Sequence, residues 1–267
     1  MGTMDGRVAI VSGSGRGIGR AIALKLASEG ASVVVNDLDA GPAADTVAAI
    51  GAAGGRAVAC VGSVTDEGFA ERFTGAAVEH FGGLDIIVNN AGYTWDTVIQ
   101  KMTDEQWHTI LDVHLTASFK ILRAALPHFR ANPVPYHRKV VNISSTSGYY
   151  GNLGQVNYAA AKAGMIGLTK TLAKEWGRYR VNVNAVAFGY VLTRMTEATA
   201  ADNATLPIDG RDIKVGLNPE KAAMASKIIP LGRPGTPEEA AGAVYALCLP
   251  ETDYVSGQCL VVDGARV

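Results

Sequence analysis

Seven short runs of apolar, largely β-branched residues punctuate the chain: RVAIVS (7–12), SVVVN (32–36), AVACV (57–61), DIIVN (85–89), KVVNI (139–143), VNVNAV (181–186) and QCLVVD (258–263). Their apolar positions are close to continuous rather than alternating, which predicts strands covered on both faces, as in a parallel sheet. Between most of them lie segments of helical length and period, at 17–28, 66–80, 104–130, 153–177 and 237–249. This alternation predicts repeated βαβ units: an α/β protein with one doubly wound, seven-stranded parallel sheet and helices on both faces.

One stretch breaks the alternation. Residues 190–236, which include Pro207, Pro219, Pro230 and Pro234, separate the sixth strand from the last helix. An irregular connection of that length in a compact domain is usually functional. Its place after a strand's carboxyl end is where open α/β sheets bind ligands, so a substrate lid is expected at about 190–236. A shorter irregular piece, ANPVPYH (131–137), precedes the fifth strand. With no internal repeat and no linker, the 267 residues are expected to form a single domain, 1–267.

Composition narrows the function classes. A formal net charge of −1 lacks the basic balance of a nucleic-acid binder, and no nucleic-acid partner is expected. Cys60, Cys248 and Cys259 are odd in number, far apart and set in apolar runs, which speaks against a disulfide framework and a metal site and for buried, reduced thiols. The stretch MGTMDGRVAIVSG has no basic n-region, and no apolar span reaches 18 residues. A cytoplasmic protein without membrane contact is therefore expected.

Directly after the first strand comes SGSGRGIG (12–19), opening a helix. Gly13, Gly17 and Gly19 allow a tight turn and close approach of the backbone to a pyrophosphate, whose charge the helix N-terminus stabilises. The second strand ends VVVNDLD, placing Asp37 eighteen residues after Gly19, near where a Rossmann-type dinucleotide fold sets the acid for the ribose 2′-hydroxyl. A carboxylate there favours NAD over NADP. Arg16 pulls the other way, because a guanidinium near the ribose can receive a phosphate.

QVNYAAAKAG (155–164) sets Tyr158 and Lys162 four residues apart on one helix face. An ammonium beside a phenol favours the tyrosinate and lowers its pKa, which makes a general acid/base. Spacing alone proves little; location decides. The fifth strand ends in NISSTSG, bringing Ser144, Ser145 and Ser147 to the carboxyl edge of the sheet, and the fourth ends in NNAG (89–92). Three strand ends thus converge on one crevice.

Together SGSGRGIG, NNAG, NISSTSG, YAAAK and the carboxyl-terminal VSGQCLVVDG resemble the short-chain dehydrogenase/reductases over essentially the whole chain. The resemblance implies Tyr158 as the acid/base, Ser145 as the hydroxyl that polarises a carbonyl, and Lys162 as the group that binds the nicotinamide ribose and lowers the tyrosine pKa. It implies cofactor contacts from Gly13, Gly15, Arg16, Gly17, Ile18, Gly19, Asp37, Ser63, Val64, Asn90, Ala91, Gly92, Gly189, Val191 and Thr193, besides Tyr158 and Lys162. It also implies a homo-oligomer, most simply a homotetramer, in which the apolar last strand is covered. Three departures stand out. His114, in LDVHLTA, replaces an asparagine that supports a proton-relaying water in family members, and joins the catalytic candidates. Phe188 replaces a proline, and Ser63 an aspartate that contacts adenine. His114 is expected mid-helix, facing the Tyr158 helix and adding an ionisation to the acid limb of the pH profile.

YGNLGQVNYAAAKAG most resembles 3-oxoacyl carrier-protein reductases, and VVVNDL and DVHL also look like 3-hydroxyacyl-CoA dehydrogenase modules. The leading expectation is hydride exchange between NAD(H) and a 3-oxoacyl/3-hydroxyacyl thioester, with acyl carrier protein a candidate partner. His128, Arg130, His137, Arg138, Lys139, Arg178 and Arg180 form a basic grouping that either receives an acidic carrier or is a solvated charged face. Alternatives are a dehydrogenase of steroids, polyols or other secondary alcohols, and a dinucleotide-binding protein whose His114 and Phe188 mark lost catalysis.

Overall fold

A computed structural model describes residues 2–194, 196, 205–208, 210–214, 216 and 227–266. Seven strands form one parallel sheet: β1 (Val8–Val11), β2 (Ser32–Asp37), β3 (Arg56–Val61), β4 (Ile86–Asn89), β5 (Arg138–Ser145), β6 (Val181–Phe188) and, last in the chain, β9 (Cys259–Val262). Their spatial order is β3-β2-β1-β4-β5-β6-β9. The chain winds outward from β1 to β3 and returns to start again at β4, so the winding reverses between β1 and β4. Ligands of open α/β sheets bind outside the carboxyl ends at such a reversal.

Strand pleating explains the continuous apolar runs. Val8 and Ile10 of β1 enter one core while Ala9 and Val11 enter the other, because successive side chains point to opposite faces. The first core is completed by α3 (Phe69–Phe81), α4 (Asp104–Leu111), α5 (Ala117–Ala131) and α7 (Val156–Trp176), through Phe69, Phe73, Ile110, Ile121 and Trp176. The second is completed by α1 (Gly17–Ser28), α2 (Ala40–Ala52) and α8 (Pro237–Cys248), through Ile22, Leu26, Ile50 and Val244. A one-turn helix, α6 (Ser147–Tyr150), follows β5. No described helix is long and apolar enough to cross a membrane.

Several elements depart from the sequence expectation. Helix α2 was not among the expected ones; its sequence AGPAADTVAAIGA carries two glycines and a proline and shows little periodicity. The segment 104–130 is not one regular helix, because a π-helical turn, Asp112–Thr116, joins α4 to α5 and carries His114. The stretch 190–236 is not wholly irregular: β7 (Thr205–Ile208) and β8 (Arg211–Lys214) pair antiparallel as a hairpin. Its described part buries Ile208 and Ile213 in the first core, while residues 195, 197–204, 209, 215 and 217–226 of that stretch lie outside the described residues.

The basic grouping also changes meaning. Arg138 and Lys139 are each only 3% exposed. Arg138 donates to the carbonyls of Leu84, Phe129 and Asn132 and faces Asp85, while Lys139 Nζ donates to Asp253 at 2.6 Å and Asn182 at 2.9 Å. These are buried, partnered charges of the scaffold. The grouping centres on the amino end of β5, at the opposite end of that strand from Ser145, where Arg130, Arg178 and Arg180 are exposed. Cys60 and Cys248 are buried free thiols; Cys259 is only half-buried.

Candidate active site

The reversal between β1 and β4 is held by small polar groups. Ser12 Oγ accepts from the backbone N–H of Asn90 (2.9 Å) and Ala91 (3.0 Å), and the Asn90 amide donates to the carbonyls of Ser12 and Gly13, each at 3.0 Å. Asn36 ties three strand ends together: its Oδ1 accepts from Gly13 N–H, and its Nδ2 donates to the carbonyls of Cys60 and Gly62. Gly13 has φ +62°, and a β-carbon on it would stand 2.8 Å from Ala91 Cα; one on Gly19 would collide with the Gly13 carbonyl and the Asn90 amide. Arg16 occupies the N-cap of α1 without a side-chain capping bond. The first N–H groups of α1 thus point into the crevice with no side chain closing them, which suits a pyrophosphate.

A cavity of about 360 Å³ runs from this turn to the acid/base candidates. It is lined by Gly13, Arg16, Gly17, Ile18, Gly19, Asp37, Ser63, Val64, Asn90, Ala91 and Gly92, and by His114, Ser145, Tyr158, Lys162, Gly189, Val191 and Thr193. Of the expected site residues only Gly15 is not in the lining; a β-carbon there would press on the Asp37 carboxylate, so Gly15 makes room for the acid. Sequence reasoning missed Asp39, Tyr93, Arg194 and Ile208, which line the same cavity. Asp39 follows Asp37 by two residues and was the one that could have been picked out.

Helix α7 is fixed to the sheet edge by polar contacts. Asn89 donates to Asn142 (2.8 Å), which donates to Thr169 (2.9 Å); Ser144 Oγ donates to the Lys162 carbonyl and Lys162 Nζ to the Ile143 carbonyl, at 2.8 and 2.7 Å. Ser144 is therefore a structural donor. Ser147 donates to Gln155; Ser144 and Ser145 both line the cavity, and it is the Ser145 hydroxyl that interacts with the Tyr158 phenol.

The electrostatics differ from expectation. Burial pushes the Tyr158 phenol up to about 12, with the Ser145 hydroxyl pulling it down in part and Asp96 pushing it up. Burial also pulls Lys162 down to about 7. The causes acting on the phenol are thus burial, Ser145 and Asp96, and the expected lowering by the lysine is not among them. Desolvation disfavours both charged forms, and the ammonium lies 5.5 Å from the ring centroid with its hydrogen bond directed at Ile143.

His114 does face α7, its ring meeting that of Tyr158 edge-on at 5.1 Å. Its expected ionisation is overturned. The ring is 3% exposed, and burial, reinforced by Lys162, holds its pKa well below 6.5. Nε2 bonds the Tyr93 carbonyl at 2.8 Å and therefore carries the proton of the neutral ring. Nδ1, buried, has no hydrogen-bond partner among the described residues. The Ser118 hydroxyl donates to the His114 carbonyl at 2.8 Å.

Stability should record this neutrality. Above pH 6.5 the folded and unfolded states both hold a neutral imidazole; below it the unfolded chain binds a proton that the folded chain refuses. His114 therefore withdraws stability as pH falls, by at most about 1.4 kcal/mol per unit. Denaturant midpoints of His114→Asn should gain on the parent as pH drops from 7 to 5. A difference that does not change with pH would contradict the assignment.

Comparison with known proteins bears on this geometry. The family model described as Enoyl-(Acyl carrier protein) reductase matches residues 13–265. A 3-oxoacyl-[acyl-carrier-protein] reductase of Synechocystis sp. is 39% identical over 100% of this chain and 99% of its own. The peroxisomal hydratase-dehydrogenase-epimerase of Saccharomyces cerevisiae is 42% identical over 72% of this chain and 22% of its own. A crystal structure described as that of a short-chain alcohol dehydrogenase from Sinorhizobium meliloti superposes with TM-score 0.86 at 33% identity, covering 98% of this chain and 96% of that one. A strand reversal built for a dinucleotide, a serine, tyrosine and lysine gathered beside it, and full-length relatives agree: the chain belongs to the short-chain dehydrogenase/reductase family, oxidoreductases that interconvert CH–OH and C=O with a nicotinamide cofactor.

Proposed function

We propose that the protein interconverts 3-oxoacyl and 3-hydroxyacyl thioesters and prefers NAD(H). The observation that carries the chemistry is the convergence of Ser145, Tyr158 and Lys162 on the cavity that also holds the glycine turn and Asp37. The thioester is supported by the names of relatives aligned over nearly all of both chains. The preference for NAD(H) is supported by Asp37, a nearly buried acid at the end of β2.

A nicotinamide dinucleotide held by the glycine turn, Asp37, Asn90 and Lys162 would supply or accept the hydride at the substrate's C3. In the reducing direction the Ser145 hydroxyl donates a hydrogen bond to the carbonyl oxygen, and Tyr158 gives that oxygen its proton as it gains negative charge. A phenol held near 12 is fully protonated at neutral pH, the form that donates. Lys162 stabilises the tyrosinate left behind. His114, neutral and buried, meets the Tyr158 ring edge-on at 5.1 Å and holds the phenol in position.

Residues 190–236 act as the substrate lid. Ile208 of the hairpin lines the cavity, and Arg211 Nε meets Glu105 of α4 at 3.1 Å, pinning the hairpin over the substrate side. A homotetramer would cover β9, the outermost strand, whose Leu260 is 43% exposed. Light scattering at micromolar concentration tests it, and a monomer overturns it.

One panel tests the activity: NADH and NADPH oxidation with acetoacetyl-CoA, an acyl-carrier-protein thioester, and ketone forms of steroids and polyols. Thioester turnover with NADH at the higher kcat/KM is the expected result; equal or better turnover with NADPH removes the cofactor preference. Preferential turnover of a simple ketone would favour the secondary-alcohol alternative, which the Sinorhizobium meliloti structure's description supports. The alternative of a catalytically impaired binder is not retained for a member of an oxidoreductase family.

A further inference from the structure

Four charged side chains from three segments line one rim of the cavity: Arg16 in the glycine turn, Asp37 at the end of β2 with Asp39 just beyond it, and Arg194 after β6. Their formal charges cancel, but they are not arranged alike. Asp37 is 9% exposed; its Oδ1 accepts from the Asp39 N–H at 3.1 Å and its Oδ2 lies against Gly15. Asp39 is turned outward, and its Oδ2 holds Arg16 Nη2 at 2.6 Å. Arg194 stands near enough to feel the positive charge of Arg16 and the negative charges of both aspartates.

We propose that Asp39 is a second determinant of cofactor choice, acting through Arg16: it engages the guanidinium that would otherwise receive a ribose 2′-phosphate. This rests on the reading that the protein prefers NAD(H). Asp37 then repels the phosphate directly, and Asp39 withholds the cation that could offset that repulsion. The two carboxylates have separable effects. Loss of Asp37 removes a repulsion at the ribose, whereas loss of Asp39 frees a planar donor suited to bidentate phosphate binding. The ion pair is too exposed to matter much for folding, with side chains 37% and 59% accessible, so changing it should leave the fold intact.

Asp39→Asn is nearly isosteric and removes one negative charge. A charge-assisted hydrogen bond from the freed Arg16 guanidinium to the 2′-phosphate is worth about a tenfold gain in affinity. The experiment measures equilibrium dissociation constants of NADH and NADPH by quenching of tryptophan fluorescence, for the parent, Asp39→Asn, Arg16→Met and the double variant. The expected result is an NADPH-over-NADH affinity ratio raised about tenfold in Asp39→Asn, with the double variant showing the same ratio as Arg16→Met alone. A ratio within twofold of the parent in Asp39→Asn overturns the proposal, as does a gain that survives without Arg16. Failure of the underlying reading is seen separately, in a parent protein that binds NADPH as tightly as NADH.

Discussion

Tyr158→Phe is expected to keep dinucleotide affinity close to that of the parent while lowering kcat by about 10²–10⁴-fold, the usual worth of a positioned general acid. The ring makes contacts that phenylalanine can reproduce: it packs edge-on against His114 and lies beside Lys162. Only the hydroxyl, which interacts with Ser145, is lost. Because the phenol acts on the substrate oxygen as charge develops, its removal should lower kcat and kcat/KM together rather than raise KM alone. Thioester turnover followed by NADH absorbance, paired with a binding titration of NADH, reads both quantities. Activity within threefold of the parent, with binding intact, would assign the proton transfer to another group.

The fold was legible because a parallel sheet announces itself. Strands such as VAIV and SVVVND are buried along their whole length, so their apolar continuity survives in one dimension. The site was legible in outline because a strand's carboxyl end is where its next residues must lie, which sent Gly13, Asn90 and Ser145 to one edge. Burial, by contrast, is a property of three dimensions. Nothing in LDVHLTA tells that His114 sits under Gly92 and Tyr158 with one nitrogen on a carbonyl, and so an imidazole expected to titrate does not. Nothing in HRKVV tells that its arginine and lysine turn inward to carbonyls and Asp253. The Arg16–Asp39 pair joins residues 23 apart, and only the folded turn shows that the guanidinium expected to favour a phosphate is already held.

Gly92→Ala is expected to lower kcat/KM by about 10²-fold, although the change adds one methyl group. A β-carbon at residue 92 would fall on the His114 ring, overlapping Cε1 and Nδ1 and standing 2.8 Å from Nε2. The obstacle is a buried ring rather than a flexible side-chain end. It is held by the Tyr93 carbonyl on one side and the Tyr158 ring on another. Overpacking of this kind costs about 1–3 kcal/mol of stability. The catalytic loss is larger, because displacing His114 moves the phenol it packs against, and a shift of about 1 Å in a reacting group can cost about 10²-fold. The glycine of NNAG thus serves more than cofactor approach: in this chain it is the space that a histidine occupies. The double variant Gly92→Ala/His114→Ala separates this from a general loss of folding, since removing the ring makes room for the methyl group. Recovery of most of the thermal stability in the double variant, with turnover at the level of His114→Ala alone, is the expected outcome. Gly92→Ala activity within threefold of the parent, or a double variant less stable than either single one, would show that the ring can move aside and that its position does not govern Tyr158.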